Sequence, residues 1–145
     1  MRVQNPNIIK TSEIDLFFNL SKEKSLIIFK KDEIIFRENT KPSGVYYLQS
    51  GSIKLYKTDT DKEQTIVIAS KGDYFGLGSI MRNKNHTCTA IALENSKIYF
   101  MPGNEFLMLT AKFPEVAHQL LVKLCNLLDK KDHIVISKKK KNKLI

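Results

Sequence analysis

From Ser25 to Met101 the chain is a string of short apolar runs: "SLIIFK", "EIIF", "VYYLQ", "SIKLYK", "QTIVIAS", "TCTAIALE" and "KIYFM". They are rich in β-branched and aromatic residues. Between them stand "KKDE", "ENTKPSG", "SG", "TDTDKE", "SKGD", "RNKN" and "EN", all of them turn chemistry. Seven or eight such strands at this spacing predict a sandwich or barrel, such as a jelly roll. After Pro102 the period changes. "GNEFLMLTAK" and "FPEVAHQLLVKLCNLLDKK" follow a helical repeat, the second with Pro114 in its first turn and Glu115 beside it. At the other end, "SEIDLFFNLSK" (12–22) reads as a short helix, with Ser12 as N-cap, Glu13 and Asp15 in the first turn, and Ile14, Phe17 and Phe18 on one face. The fold class is therefore mainly β with flanking α-helices.

On the last helix Ala117, Leu121, Leu124 and Leu128 recur three and four apart, flanked by Leu120 and Leu127. This stripe is wider than one side of a lone surface helix needs. Either the whole of it docks on the barrel, or one edge docks and the other pairs with a second copy.

At 145 residues the chain is most simply one domain with a real core. No apolar run is long enough to span a bilayer, and "MRVQNPNIIK" has no apolar signal-peptide core. Cys88 and Cys125 have neither metal-ligand nor disulfide-framework spacing, so cytoplasmic residence is expected. The net charge of +9 is uneven: without the five lysines of "KKKKNK" (138–143) the excess of basic over acidic residues is four. A terminal lysine run is expected to be a solvated tail, with a polyanion contact as the alternative.

"GDYFGLGSI" (72–80) places three glycines directly after a strand. Such a bend can bring backbone N–H groups to a phosphate, or can simply turn a corner in a β fold. The choice turns on a resemblance. Helix, roll with one glycine-rich insertion, then two helices, together with "KKDEIIFRENTKPSGVYYLQSGSIKLYK" (30–57), "DKEQTIVIASKGDYFG" (61–76) and "TAIALENSKIYFMPGNEF" (89–106), resemble the cyclic-nucleotide-binding-domain superfamily. More narrowly, the chain resembles the sensor half of Crp–Fnr family transcription regulators, over residues 12–130, with 131–145 a basic tail or linker and 114–130 a dimerisation helix. The resemblance implies a β-roll with the insertion at 76–87 opening onto its hollow. Asp32 and Asn39 stand where the family has glycine, and these two residues best tolerate positive φ. Gly44, Gly51 and Gly72 are kept at the remaining turns.

In nucleotide-binding members the resemblance implies a Gly-Glu pair for the ribose hydroxyl and, further on, an Arg and a small hydroxyl residue for the cyclic phosphate. Here Gly76 matches, but Leu77 stands at the Glu position, Thr87 at the Arg position and Cys88 at the hydroxyl. The candidate pocket is thus Gly76, Leu77, Gly78, Ser79, Thr87 and Cys88, stripped of the family's charges, with Ser79 and the backbone at Gly78 as possible donors. Arg82, Lys84 and His86 are expected at the outer tip of the insertion as solvated or loop-edge groups. Lys131 and Asp132, at the positions facing the base in relatives, resemble nothing made for a purine. His118 is expected to be structural or exposed, and Cys88 a small inward-facing residue.

Two isolated cysteines do not supply an iron–sulfur cluster, and the histidines give no sign of haem ligation. No catalytic constellation or metal cluster is evident, so no cofactor and no enzymatic activity are expected. The expected partners are a second copy and an unknown small-molecule effector. DNA would be reached only through a winged helix-turn-helix half that this sequence does not contain. A stand-alone small-molecule-binding or interaction domain is the alternative.

Overall fold

This computed structural model describes residues 16–126. The expected N-cap Ser12 with Glu13, Ile14 and Asp15 lies outside the described residues. So do Leu127, Leu128, Lys131, Asp132 and the lysine run. The elements in chain order are α1 (Leu16–Asn19), β1 (Ser25–Phe29), β2 (Ile34–Phe36), β3 (Gly44–Ser50), β4 (Ile53–Asp59), β5 (Lys62–Ala69), β6 (Tyr74–Phe75), α2 (Leu77–Arg82), β7 (Thr89–Ala92), β8 (Ser96–Pro102) and α3 (Gly103–Lys112). A further helix, α4, occupies 114–126.

The strands form two four-stranded antiparallel sheets, ordered β1-β8-β3-β6 and β2-β7-β4-β5. Strand period two explains how the chain fills both sides of the first sheet. Along β3, Tyr46 and Leu48 turn into the roll, where they meet Phe36, Ile53, Ala69, Phe75, Ala90, Ala92 and Ile98. Val45 and Tyr47 turn the other way, onto Phe17, Phe18, Met101, Phe106, Leu109 and Leu120. One strand thus serves two cores, which is why its run "VYYLQ" is apolar without alternation.

The turns behave as their residues require. Asp32 and Asn39 hold φ of 74° and 67°, the left-handed region that Asp and Asn tolerate. Thr60 and Asp61 form the two-residue loop of the β4–β5 hairpin, both with positive φ, as a type I′ turn demands. Gly44 departs from its expected role as a turn residue: it opens β3 and is required by close approach. A Cβ there would stand 2.1 Å from the Met101 carbonyl oxygen.

The helices are fastened to the roll from both termini. Glu105, in the first turn of α3, is buried, and its carboxylate accepts from the Ser21 hydroxyl and from the backbone N–H groups of Lys22 (2.8 Å) and Glu23 (3.2 Å). It thereby ties α3 to the turn between α1 and β1. On α4, Val116, Leu120 and Leu124 pack with Phe113 against the second core. Lys123 adds its ammonium over the rings of Tyr47 (5.0 Å) and Tyr74 (5.4 Å). The docked edge is therefore 113, 116, 120 and 124. Leu121, 58% exposed, and Val122, 47% exposed, face away from it, and Ala117 is half-buried.

Candidate functional site

The glycine-rich bend is built by three local rules. β6 is only two residues long and pairs with β3 through Tyr46↔Phe75 and Tyr47↔Tyr74. Gly76 then reverses the chain at φ 76°, and a side chain there would meet the Tyr46 ring at 2.9 Å. The six residues of α2 follow, and Asn83 closes them in the left-handed conformation at φ 55°, its N–H turned back to the Ile80 and Ser79 carbonyls. The exit from the insertion is strapped to the β2–β3 loop. His86 N–H donates to the Thr40 carbonyl at 2.9 Å, and Asn39 N–H donates to the His86 carbonyl at 2.8 Å.

Between this insertion and the roll lies a cavity of about 220 Å³. It is lined by Gly76, Leu77, Gly78, Ser79, Thr87 and Cys88, with Phe36, Leu55, Tyr74, Phe75, Arg82 and His86 completing the wall. All six candidate pocket residues thus come together. Leu77 and Gly78 are half-buried, Ser79 is 5% exposed, and Thr87 is exposed at the rim. Cys88 is half-buried against the inner core. Burial, and after it the charge of Glu38, pushes its thiol above the usual range, so it stays protonated at neutral pH.

The structure corrects the expectation for one of the three tip residues. His86 is no loop-edge group: it is 2% exposed and lies flat on Phe36, ring centroids 3.7 Å apart and planes 10° apart. Burial pushes its imidazole below the usual histidine range, so the ring is neutral. Arg82, although exposed, folds back against Gly78 and enters the cavity wall. Lys84 instead lines a different depression of about 490 Å³, between α2, α3 and the β2–β3 loop. The i, i+4 spacing of Gly78 and Arg82 was the one signal available for this placement. His118 is exposed. Among the described residues no group of three or more His, Cys, Asp or Glu side chains is placed to hold a metal ion, and no helix is long and apolar enough to cross a membrane.

The sequence profile of the cyclic nucleotide-binding domain matches residues 26–113, which span both sheets, the insertion and α3. The chain belongs to that family. Among the relatives of this cyclic nucleotide-binding domain, the regulatory protein HlyX of Actinobacillus pleuropneumoniae is 30% identical over 122 residues, covering 83% of this chain and 50% of HlyX. The anaerobic regulatory protein of Pasteurella multocida is 27% identical over 138 residues, covering 94% of this chain and 50% of that protein. Among solved structures, the catabolite activator protein of Thermus thermophilus superposes with a TM-score of 0.66 at 23% identity, over 77% of this chain and 53% of its own. The domain is thus of the Crp–Fnr type, with the β-roll of that fold. It spans about half the length of the relatives it matches.

Proposed function

We propose that this domain is the effector-sensing and dimerisation module of a Crp–Fnr-like transcription regulator, and that its cassette no longer holds a cyclic nucleotide. The observation that carries the reading is the cavity wall itself. Where relatives need a carboxylate for ribose and an arginine for phosphate, the wall presents Leu77 and Thr87. Without an arginine at position 87 a buried phosphate loses that partner, at roughly 3–5 kcal/mol, and a ribose hydroxyl against leucine is left unpaired. In this reading the domain works in the cytoplasm, is not itself a catalyst, and does not touch DNA. A winged helix-turn-helix half of the regulator would make that contact.

The path from cavity to helix is short. Tyr74 lines the cavity and also carries the Lys123 ammonium of α4 on its ring. A molecule that moved Tyr74 would therefore act on the helix whose outward edge, Ala117 and Leu121, we assign to a two-fold contact that continues to Leu128. Leu124 serves both the docked edge and that contact.

Titration calorimetry with cyclic AMP and cyclic GMP tests the nucleotide part of the reading. The expected result is no heat from either nucleotide at micromolar concentrations. Micromolar binding that Ser79→Trp abolishes would show that the cassette works without its charges. A thermal-shift screen of small metabolites tests the sensing part, since a plain interaction domain would respond to none.

A further inference from the structure

Gly78 and Arg82 lie one turn apart on α2, so their side-chain positions share a face. Because residue 78 has no side chain, the guanidinium lies down over it. Nη1 comes within 2.9 Å, and Nη2 within 3.3 Å, of the point where a Cβ on Gly78 would stand. Arg82 is exposed and lines the cavity together with Ser79, His86 and Thr87. No carboxylate among the described residues forms an ion pair with Arg82. Its neighbour Ser79, 95% buried, lines the same cavity. The same cavity is lined by the apolar side chains of Phe36, Leu55 and Phe75, which belong to the inner core, and by Leu77.

We propose that Arg82 is the anion-holding group of this cavity, and that the effector is a compact organic anion, a phosphate or carboxylate on a small apolar body. The inference rests on reading the cavity as the effector site. A guanidinium offers a fork of donors that matches either oxyanion in a two-point grip. Ser79 and Thr87 are within the same wall to donate to remaining oxygens, and the apolar lining receives the body of the molecule. The space of about 220 Å³ falls below the roughly 300–1,000 Å³ that holds drug-sized ligands. That favours a compact acid over a nucleotide, whose ribose would also face Leu77. The cation has in effect moved from position 87 to position 82, and Gly78 makes room for it.

The test is to titrate the chain with phenyl phosphate, benzoate and the neutral benzyl alcohol, following amide shifts by NMR. One of the two anions should bind at least ~10-fold more tightly than the alcohol, and Arg82→Gln should remove that advantage. Gly78→Ala supplies an arm independent of the charge. Its methyl would displace only the tip of a flexible side chain, so the fold should hold while anion affinity falls several-fold. Lys84→Gln, in the other depression, should change nothing. Equal binding of anion and alcohol, indifferent to Arg82→Gln, would overturn the role of Arg82 while leaving the cavity an effector site. No binding of any of the three also overturns the proposal; the metabolite screen then judges the sensing reading separately.

Discussion

Leu121→Glu is the sharpest probe of the proposed helix pairing. Leu124 is compromised as a probe because it packs against the second core, so a charge there would disturb the fold as well as any contact between copies. Leu121 is 58% exposed, and what it loses by mutation is mainly what a partner would cover. Fully burying a leucine stabilises by ~1.5–3 kcal/mol. Covering the exposed 58% of Leu121 is then worth ~1–2 kcal/mol per chain, and two-fold symmetry doubles this to ~2–3.5 kcal/mol per dimer. The substituted carboxylates would also face each other or be stripped of water, so this is a lower bound. It corresponds to a dimer dissociation constant raised ~30–300-fold. Sedimentation velocity over ~1–100 μM should show the parent chain associating and the variant monomeric, with the variant's urea midpoint as a monomer unchanged. A parent chain that stays monomeric at ~100 μM, or a variant that associates equally well, refutes the assignment of this helix edge.

Glu105→Ala should destabilise the domain by ~2–4 kcal/mol in urea unfolding, because it strips the acceptor from one hydroxyl and two backbone N–H groups; a loss under ~1 kcal/mol would mean that water replaces it. Burial lowers the pKa of His86 in the native state, so the unfolded chain takes up a proton that the native chain refuses. Stability should be full above about pH 6.5, the ordinary histidine value, and fall as pH drops below it. His86→Phe, which can keep the stack on Phe36, should remove that component, and an unchanged slope between about pH 7.5 and 5.5 would contradict the buried neutral ring. Iodoacetamide followed by peptide mass spectrometry should label exposed Cys125 well before half-buried Cys88, whose thiol is pushed up.

What the sequence made legible follows from which interactions are local. The long strands announced themselves because each carries enough β-branched and aromatic residues between turn-forming ones. Helix α3 begins and ends where the change of period after Pro102 placed it. Asp32 and Asn39 were legible as left-handed residues because that tolerance belongs to the residue alone. β6, at two residues, is too short to show any period, and only its pairing with β3 makes it a strand. On α4 the spacing identified an apolar surface but did not divide it. The division needs the roll's outer face, where Leu120 and Leu124 dock on the core and Leu121 does not.

The insertion shows the same limit more sharply. Position-by-position reading of the insertion compares side chains with side chains, and by that measure Leu77 and Thr87 offer no charge. The Arg82 guanidinium reaches the cavity through what position 78 lacks. The imidazole of His86 reaches it because backbone hydrogen bonds to 39 and 40 set the ring against Phe36. Neither placement is a property of the residue concerned. A missing Cβ is visible in the sequence only as one more glycine in a glycine-rich bend, where turn formation already explains it. The two roles separate on φ: Gly76 has a positive φ and turns the chain, whereas Gly78 lies within α2, where alanine would fit the backbone equally well. A glycine that the backbone does not require, placed one turn before an arginine that no described acid pairs with, therefore points to the space above it, which the guanidinium fills.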